Sequence, residues 1–167
     1  QPNIRELADE TGELANLMVE EHGEGVYIDR EIGDDAVMVD KNVGHRVHLH
    51  NTALGKAILA HLPRDHVSQI LDTHGMPALT EKTITDEATL FDELENVREE
   101  GIAYDDEERL EGLRCVAAPI LDGDDDPVAA VSVSGPLARF STERFREEVP
   151  ETIKKAVNVI ELNVVHG

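Results

Sequence analysis

Two hydroxyls stand two residues apart in the run AAVSVSGPLARFS: Ser132 and Ser134, interleaved with Val131 and Val133. In a strand, alternate side chains share a face, so both hydroxyls point one way and both valines the other. A hydroxyl in a dry core needs a partner, so the pair marks either a solvent face or a polar-lined cavity. Cys115 lies in LRCVAAPIL, which is joined to PVAAVSVSG by the acidic turn DGDDD, and on a paired strand it reaches the same cavity. Asp105 and Asp106 begin an acidic turn after a short strand at Ile102 to Tyr104. Cys115 with Asp105 and two serines can be read as a nucleophile with helpers, the alternative of a small-molecule enzyme. No histidine stands beside Cys115 in the chain, and turnover is not expected.

A second candidate is the helix start in LHNTALGKAILAHL, residues 49 to 62. A phosphate loop needs Gly five places before the Gly-Lys pair and Ser or Thr after it; His50 and Ala57 stand there instead. What remains is Thr52 as an N-cap. The amides of Ala53, Leu54 and Gly55 then form a first turn without helical acceptors, where the helix dipole favours an anion. His45, His48 and His50 lie close in sequence, the last two at a spacing a strand could offer to zinc, but a plain strand face is the simpler reading and no metal is assigned.

These groups must be held by a mixed set of elements. NIRELADETG reads as a short helix with Ile4, Leu7 and Ala8 on one face and Gly12 as its stop. LANLMVEEHGEGVYIDREIG reads as a hairpin turning at His22 to Gly25, with further short strands at AVMVD and RVHLH. Helices follow at Thr52 to His61, Arg64 to Leu71 and Asp86 to Glu100, the last ending at Gly101. Pro119 requires an edge or a bulge. A final helix starts near Thr142, with Pro150 at a break and Ile153, Ala156, Val157 and Ile160 as its inner stripe. Hairpins mixed with helices indicate an α+β fold with an antiparallel sheet.

Composition narrows the partners. Acidic residues number 36 against 15 Lys and Arg, a net charge of −21 spread along the chain, so this chain repels DNA and RNA by itself. Such a shell around a normal core suits a high-salt cytoplasm, where screening weakens self-repulsion. The sequence has neither a membrane-length apolar run nor a signal-peptide pattern, and a cytoplasmic location is expected. One cysteine excludes a disulfide framework. The length fits one domain over residues 1–167, and the first residue, Gln1, suits a piece of a longer protein.

Three segments, LHNTALGKAILAHLP, GIAYDDEERLEGLRCVAAPI and AAVSVSGPLARFS, in this order and spacing, closely resemble the effector-binding domain of IclR-family transcriptional regulators. The resemblance runs from LADETGELANLMV to the closing helix. It implies a GAF-like antiparallel sheet flanked by helices, a small carboxylate effector without a cofactor, and assembly into dimers or dimers of dimers. It further implies operator DNA held only through a winged helix-turn-helix half that has no counterpart here. By the same resemblance, the effector site comprises the amides of Ala53 and Leu54 with the side chains of Asp105, Cys115, Ser132 and Ser134. Met38, Leu54 and Val116 are candidates for its apolar lining.

Overall fold

The computed structural model describes residues 2–34, 44 and 46–166. The expected strand AVMVD, the lining candidate Met38 and His45 lie outside the described residues. Among the described residues six strands form one antiparallel sheet in the order β3-β2-β1-β6-β5-β4, comprising β1 (Leu14–Glu21), β2 (Glu24–Ile32), β3 (Arg46–Val47), β4 (Ala103–Asp106), β5 (Leu113–Leu121) and β6 (Pro127–Pro136). Helices α2 (Ala53–Leu59), α3 (Arg64–His74) and α4 (Glu87–Glu100) cover one face; α1 (Pro2–Thr11) and α5 (Val149–His166) cover the other. The α+β, GAF-like arrangement expected from the sequence is therefore the observed one.

Period-two alternation sorts the central strands between two cores. Met18, Tyr27, Leu113, Cys115 and Ala117 pack with α2 to α4, whereas Ala15, Val116, Ala118, Val131 and Val133 pack with α1 and α5. Val116 consequently cannot line the cavity that Cys115 faces, and its expected role there is corrected: adjacent strand residues point to opposite faces.

Local sequence explains the joints. The β1–β2 hairpin closes at the Glu21–Glu24 pair, and its two loop residues, His22 and Gly23, have φ of 55° and 83°. That is the left-handed geometry a two-residue hairpin requires. Ile4, Leu7 and Ala8 are the buried face of α1, which stops at Gly12 (φ 74°). Pro119 lies beyond the reach of β4, where β5 pairs with β6 alone. Pro150 sits in the first turn of α5, just after a π-helical turn at Arg144–Glu148.

Two element boundaries differ from expectation. The strand expected over RVHLH is only Arg46–Val47; the chain then turns toward the Thr52 cap, which removes His48 and His50 from any common strand face. Asp105 and Asp106 belong to strand β4 rather than to a turn after it. Each pairs across to β5, opposite Cys115 and Arg114, and Arg114 Nε donates to Asp106 Oδ1 at 3.0 Å.

Gly55 in the TALG corner has a packing role. A Cβ there would lie 2.1 Å from the Leu49 carbonyl oxygen and 2.4 Å from Leu49 Cα, both backbone atoms that cannot swing aside. Gly55→Ala is expected to destabilise the fold by about 1–3 kcal/mol or more, as overpacking does. Urea denaturation at fixed salt checks this, and an unchanged midpoint would contradict it.

Candidate functional site

The sheet register assembles two lateral rows under α2. One runs Leu14, Ser134, Cys115, Asp105 and the other Arg30, Asn16, Ser132, Ala117, each residue paired with the next across neighbouring strands. Above the rows, the first turn of α2 closes a small cavity, partly open to solvent. Its lining includes Ala53, Leu54, Asp105, Cys115, Ser132 and Ser134, together with Leu14, Tyr27, Arg30, Thr52, Arg109 and Leu113. All six residues named from the sequence thus meet in one cavity. β6 lies between β1 and β5, so the serine face is interior and not a solvent edge. Asn16 Nδ2 donates to the Ser132 and Ser134 hydroxyls at 3.1 and 3.4 Å.

Thr52 caps α2 through its hydroxyl, which accepts from Gly55 N at 2.9 Å. Gly55 therefore drops out of the set of open donors, and the amides of Ala53 and Leu54 remain as the first-turn N–H groups above the cavity. Lys56 does not turn toward it. Its side chain is fully buried, with Nζ at 2.9 Å from both Glu108 oxygens and 3.4 Å from Glu93 Oε2.

Arginine is what the sequence reading missed. Between Leu17 and Met18 the β1–β2 register shifts by one residue, leaving Ile28 without a partner on β1. Tyr27 and Arg30, three apart, would otherwise face opposite ways; this bulge brings both to the cavity face. Arg30 Nε then donates to Asn16 Oδ1 at 2.9 Å, and its guanidinium lies 4.0 Å from the Tyr27 ring centroid. Arg109 arrives from the β4–β5 turn. Neither had a motif to announce it.

Asp105 is fully buried. Its Oδ1 accepts from the amides of Glu108 at 2.7 Å and Arg109 at 3.4 Å, while Oδ2 has no hydrogen-bond partner among the described residues. Burial, and then the nearby Glu108 carboxylate, push its pKa up to about 7. Burial also pushes the Cys115 thiol far up, reinforced by Asp105. A thiol so held is not a thiolate nucleophile, and no described residue lining the cavity is a histidine that could act as its base. His50 is buried with Nε2 at 2.9 Å from the Pro77 carbonyl and its ring edge-on to His48 at 5.6 Å. Among the described residues the only cluster with metal-ligand spacing is the turn Asp122, Asp124 and Asp126, which lies away from this cavity.

Sheet order and helix placement define an α+β, GAF-like domain, and comparison with known proteins gives its family. The family model described as "Bacterial transcriptional regulator IclR C-terminal" matches residues 1–162. The chain belongs to the IclR family. It is 34% identical to the transcriptional repressor IclR of Escherichia coli over 160 residues, covering 95% of this chain and 58% of that repressor. The structure of the Thermotoga maritima IclR superposes with a TM-score of 0.91 at 34% identity, covering 98% of this chain and 66% of that one. An IclR homolog from Microbacterium hydrocarbonoxydans, complexed with 4-hydroxybenzoate, has a TM-score of 0.86 at 24% identity over 98% of this chain and 65% of its own, a likeness of fold alone. The curated relatives are transcriptional regulators, and this chain spans less than two thirds of their length. No helix among the described residues is long and apolar enough to cross a membrane.

The Lys56 pair gives a test of how the site is held. Lys56→Met strands Glu108 in the interior and is expected to cost about 3–5 kcal/mol, whereas Lys56→Met with Glu108→Leu should recover most of that loss. Equal loss in the single and double variants, by denaturant unfolding, would count against it.

Proposed function

We propose that residues 1–167 form one effector-binding domain, and that the cavity takes a small carboxylate bearing an oxo or hydroxyl group. The observation that carries this reading is the grouping of two first-turn amides, two arginines, two serines and one buried carboxyl around a single cavity. Ala53 N and Leu54 N, at the positive end of α2, suit the ligand carboxylate. Arg30 and Arg109 supply charge of the same sign. Ser132 and Ser134 donate or accept as the ligand needs, and Asp105 Oδ2 meets the oxo or hydroxyl oxygen. Leu14, Tyr27, Leu54 and Leu113 bound the apolar part and set ligand size.

The chain senses and does not turn its ligand over. In the whole regulator, effector binding changes the affinity for operator DNA through a coupling of roughly 1–3 kcal/mol. DNA is held by a part of the regulator that this chain does not span, and copies of this domain assemble into dimers or dimers of dimers.

A thermal-shift screen of small oxo, hydroxy and aromatic acids in high salt should find stabilising ligands. For the best of them, Ser132→Ala with Ser134→Ala should weaken binding by about ten- to a hundredfold, the loss of one or two hydrogen bonds to a polar ligand, with the circular dichroism spectrum unchanged. Equal affinity in wild type and double variant would sink the assignment. The chain by itself should show no salt-dependent binding to a promoter duplex, because its net charge is −21.

A further inference from the structure

Among the described residues Asp105 is the one acid on the cavity wall, in a site whose other features favour an anion. An ionised carboxylate there would oppose the ligand's own carboxylate and would offer its free oxygen only as an acceptor. Protonated, the same oxygen becomes a donor. The geometry permits both states, since the two backbone amides fix Oδ1 and leave Oδ2 uncommitted.

The charged groups around it are arranged to keep the choice open. From the turn after β4 come the Glu108 carboxylate, which opposes ionisation, and the Arg109 guanidinium on the cavity wall. From α2 comes Lys56, which favours ionisation but is held by both Glu108 oxygens and by Glu93. From β5 comes the Cys115 thiol, opposite Ser134 of β6 and Asp105 itself, and from β2 comes Arg30, bonded to Asn16. Burial weighs first, and it favours the neutral acid.

We infer that Asp105 sets which oxygen function the cavity accepts: as a neutral acid it donates Oδ2–H to the oxo oxygen of a 2-oxo carboxylate, and as a carboxylate it accepts from the hydroxyl of the matching 2-hydroxy acid. The preference of the site between the two ligand classes therefore turns with pH in the neutral range. This rests on the reading of the cavity as a carboxylate site. The ratio of the two affinities isolates the effect, because both ligands carry the same carboxylate and its repulsion by an ionised Asp105 cancels.

Pyruvate and L-lactate are matched probes, alike in size and differing in oxo against hydroxyl. Their Kd values are measured by calorimetry at about pH 5.5 and pH 8.5, on either side of the Asp105 value of about 7, at fixed salt, for the wild-type chain and for Asp105→Asn. The amide of the variant accepts at Oδ1 and donates at Nδ2 at every pH, so it reproduces the neutral acid without titrating. In the wild type the Kd of lactate divided by that of pyruvate should fall by about tenfold or more as the pH rises, the size of one hydrogen bond to a charged group. Asp105→Asn should show a flat ratio and should hold pyruvate at the higher pH as the wild type does at the lower. Pyruvate binding to the wild type at the higher pH should take up about one proton, read from buffers of different ionisation enthalpy.

A flat ratio in the wild type with both acids bound overturns the inference and leaves the carboxylate site standing. The same slope in Asp105→Asn also overturns it, because the titrating group would then be another. Failure of both acids to bind at either pH overturns the inference, while the reading of the cavity stands or falls by the wider screen of acids. A check free of ligand runs in parallel. A carboxyl whose folded pKa is raised contributes stability at low pH that is lost as the pH passes through that value, so the urea midpoint of the wild type should fall relative to that of Asp105→Asn between about pH 5 and pH 8. A constant difference between the two would overturn the proposal whatever the acids do.

Discussion

The ion pair between Lys56 and Glu108 is the contact on which the cavity depends. Two charges buried together cost desolvation, and in return their geometry is fixed, since moving either one strands the other. Lys56 belongs to the helix that supplies the amides of Ala53 and Leu54. Glu108 belongs to the turn that supplies Arg109 and, through its own backbone N–H, fixes Asp105 Oδ1 at 2.7 Å. One pair therefore sets the distance between the first turn of α2 and the carboxyl wall. Thr83 reinforces it from outside: its hydroxyl donates to the Glu108 carbonyl and accepts from the amides of Leu79 and Thr80 at 3.1 and 3.0 Å. Gly55 completes the arrangement, because only a residue without Cβ lets α2 settle against the Leu49 backbone.

Beneath that helix, the floor is a matter of register. A slip of one residue between β5 and β6 would turn the serines or Cys115 to the other core, replacing them with valines. The apolar alternation on the far side guards against it: Val131 and Val133 are fully buried against α1 and α5. The bulge at Ile28 has the opposite effect on β2, breaking the alternation so that Arg30 joins Tyr27. A second buried charge group anchors the far end of the same rows. Glu13, just before β1, meets Arg139 at 2.8 Å and Arg144 at 2.9 Å, joining the start of β1 to the segment that leaves β6.

The parts of the site legible in the sequence were those with a local signature. Thr52 and the first-turn amides follow from capping rules, and the two serines follow from strand alternation. Cys115 follows from the β5–β6 hairpin and its acidic turn, whereas the meeting with Asp105 came from family resemblance, because no local rule brings β4 beside β5. Arg30 stayed hidden because the bulge that re-aims it depends on a tertiary ladder, and Val116 was misassigned where the same alternation that placed Ser132 would have excluded it. The partner of Lys56 stands 52 residues away, in a turn whose path only the fold reveals. RVHLH looked like a strand on β-propensity and proved mostly a turn, since the need to enter α2 at the Thr52 cap overrides propensity.

A net charge of −21 stands against the proposed carboxylate ligand, and distance reconciles the two. Exposed charges act through solvent and fade over about 8 Å at physiological ionic strength, falling to about 3 Å at 1 M. Amides and guanidinium groups on the wall of a partly enclosed cavity act at contact, where little water or salt lies between. The acidic shell therefore slows the approach of an anion more than it weakens its seat, and added salt removes the first effect before it touches the second. Within the cavity the arrangement is the reverse of the surface: two arginines and a helix N-terminus face a single carboxyl, and that carboxyl is buried where holding a proton is favoured. The local sign of the field, not the sum over the chain, decides what the site attracts.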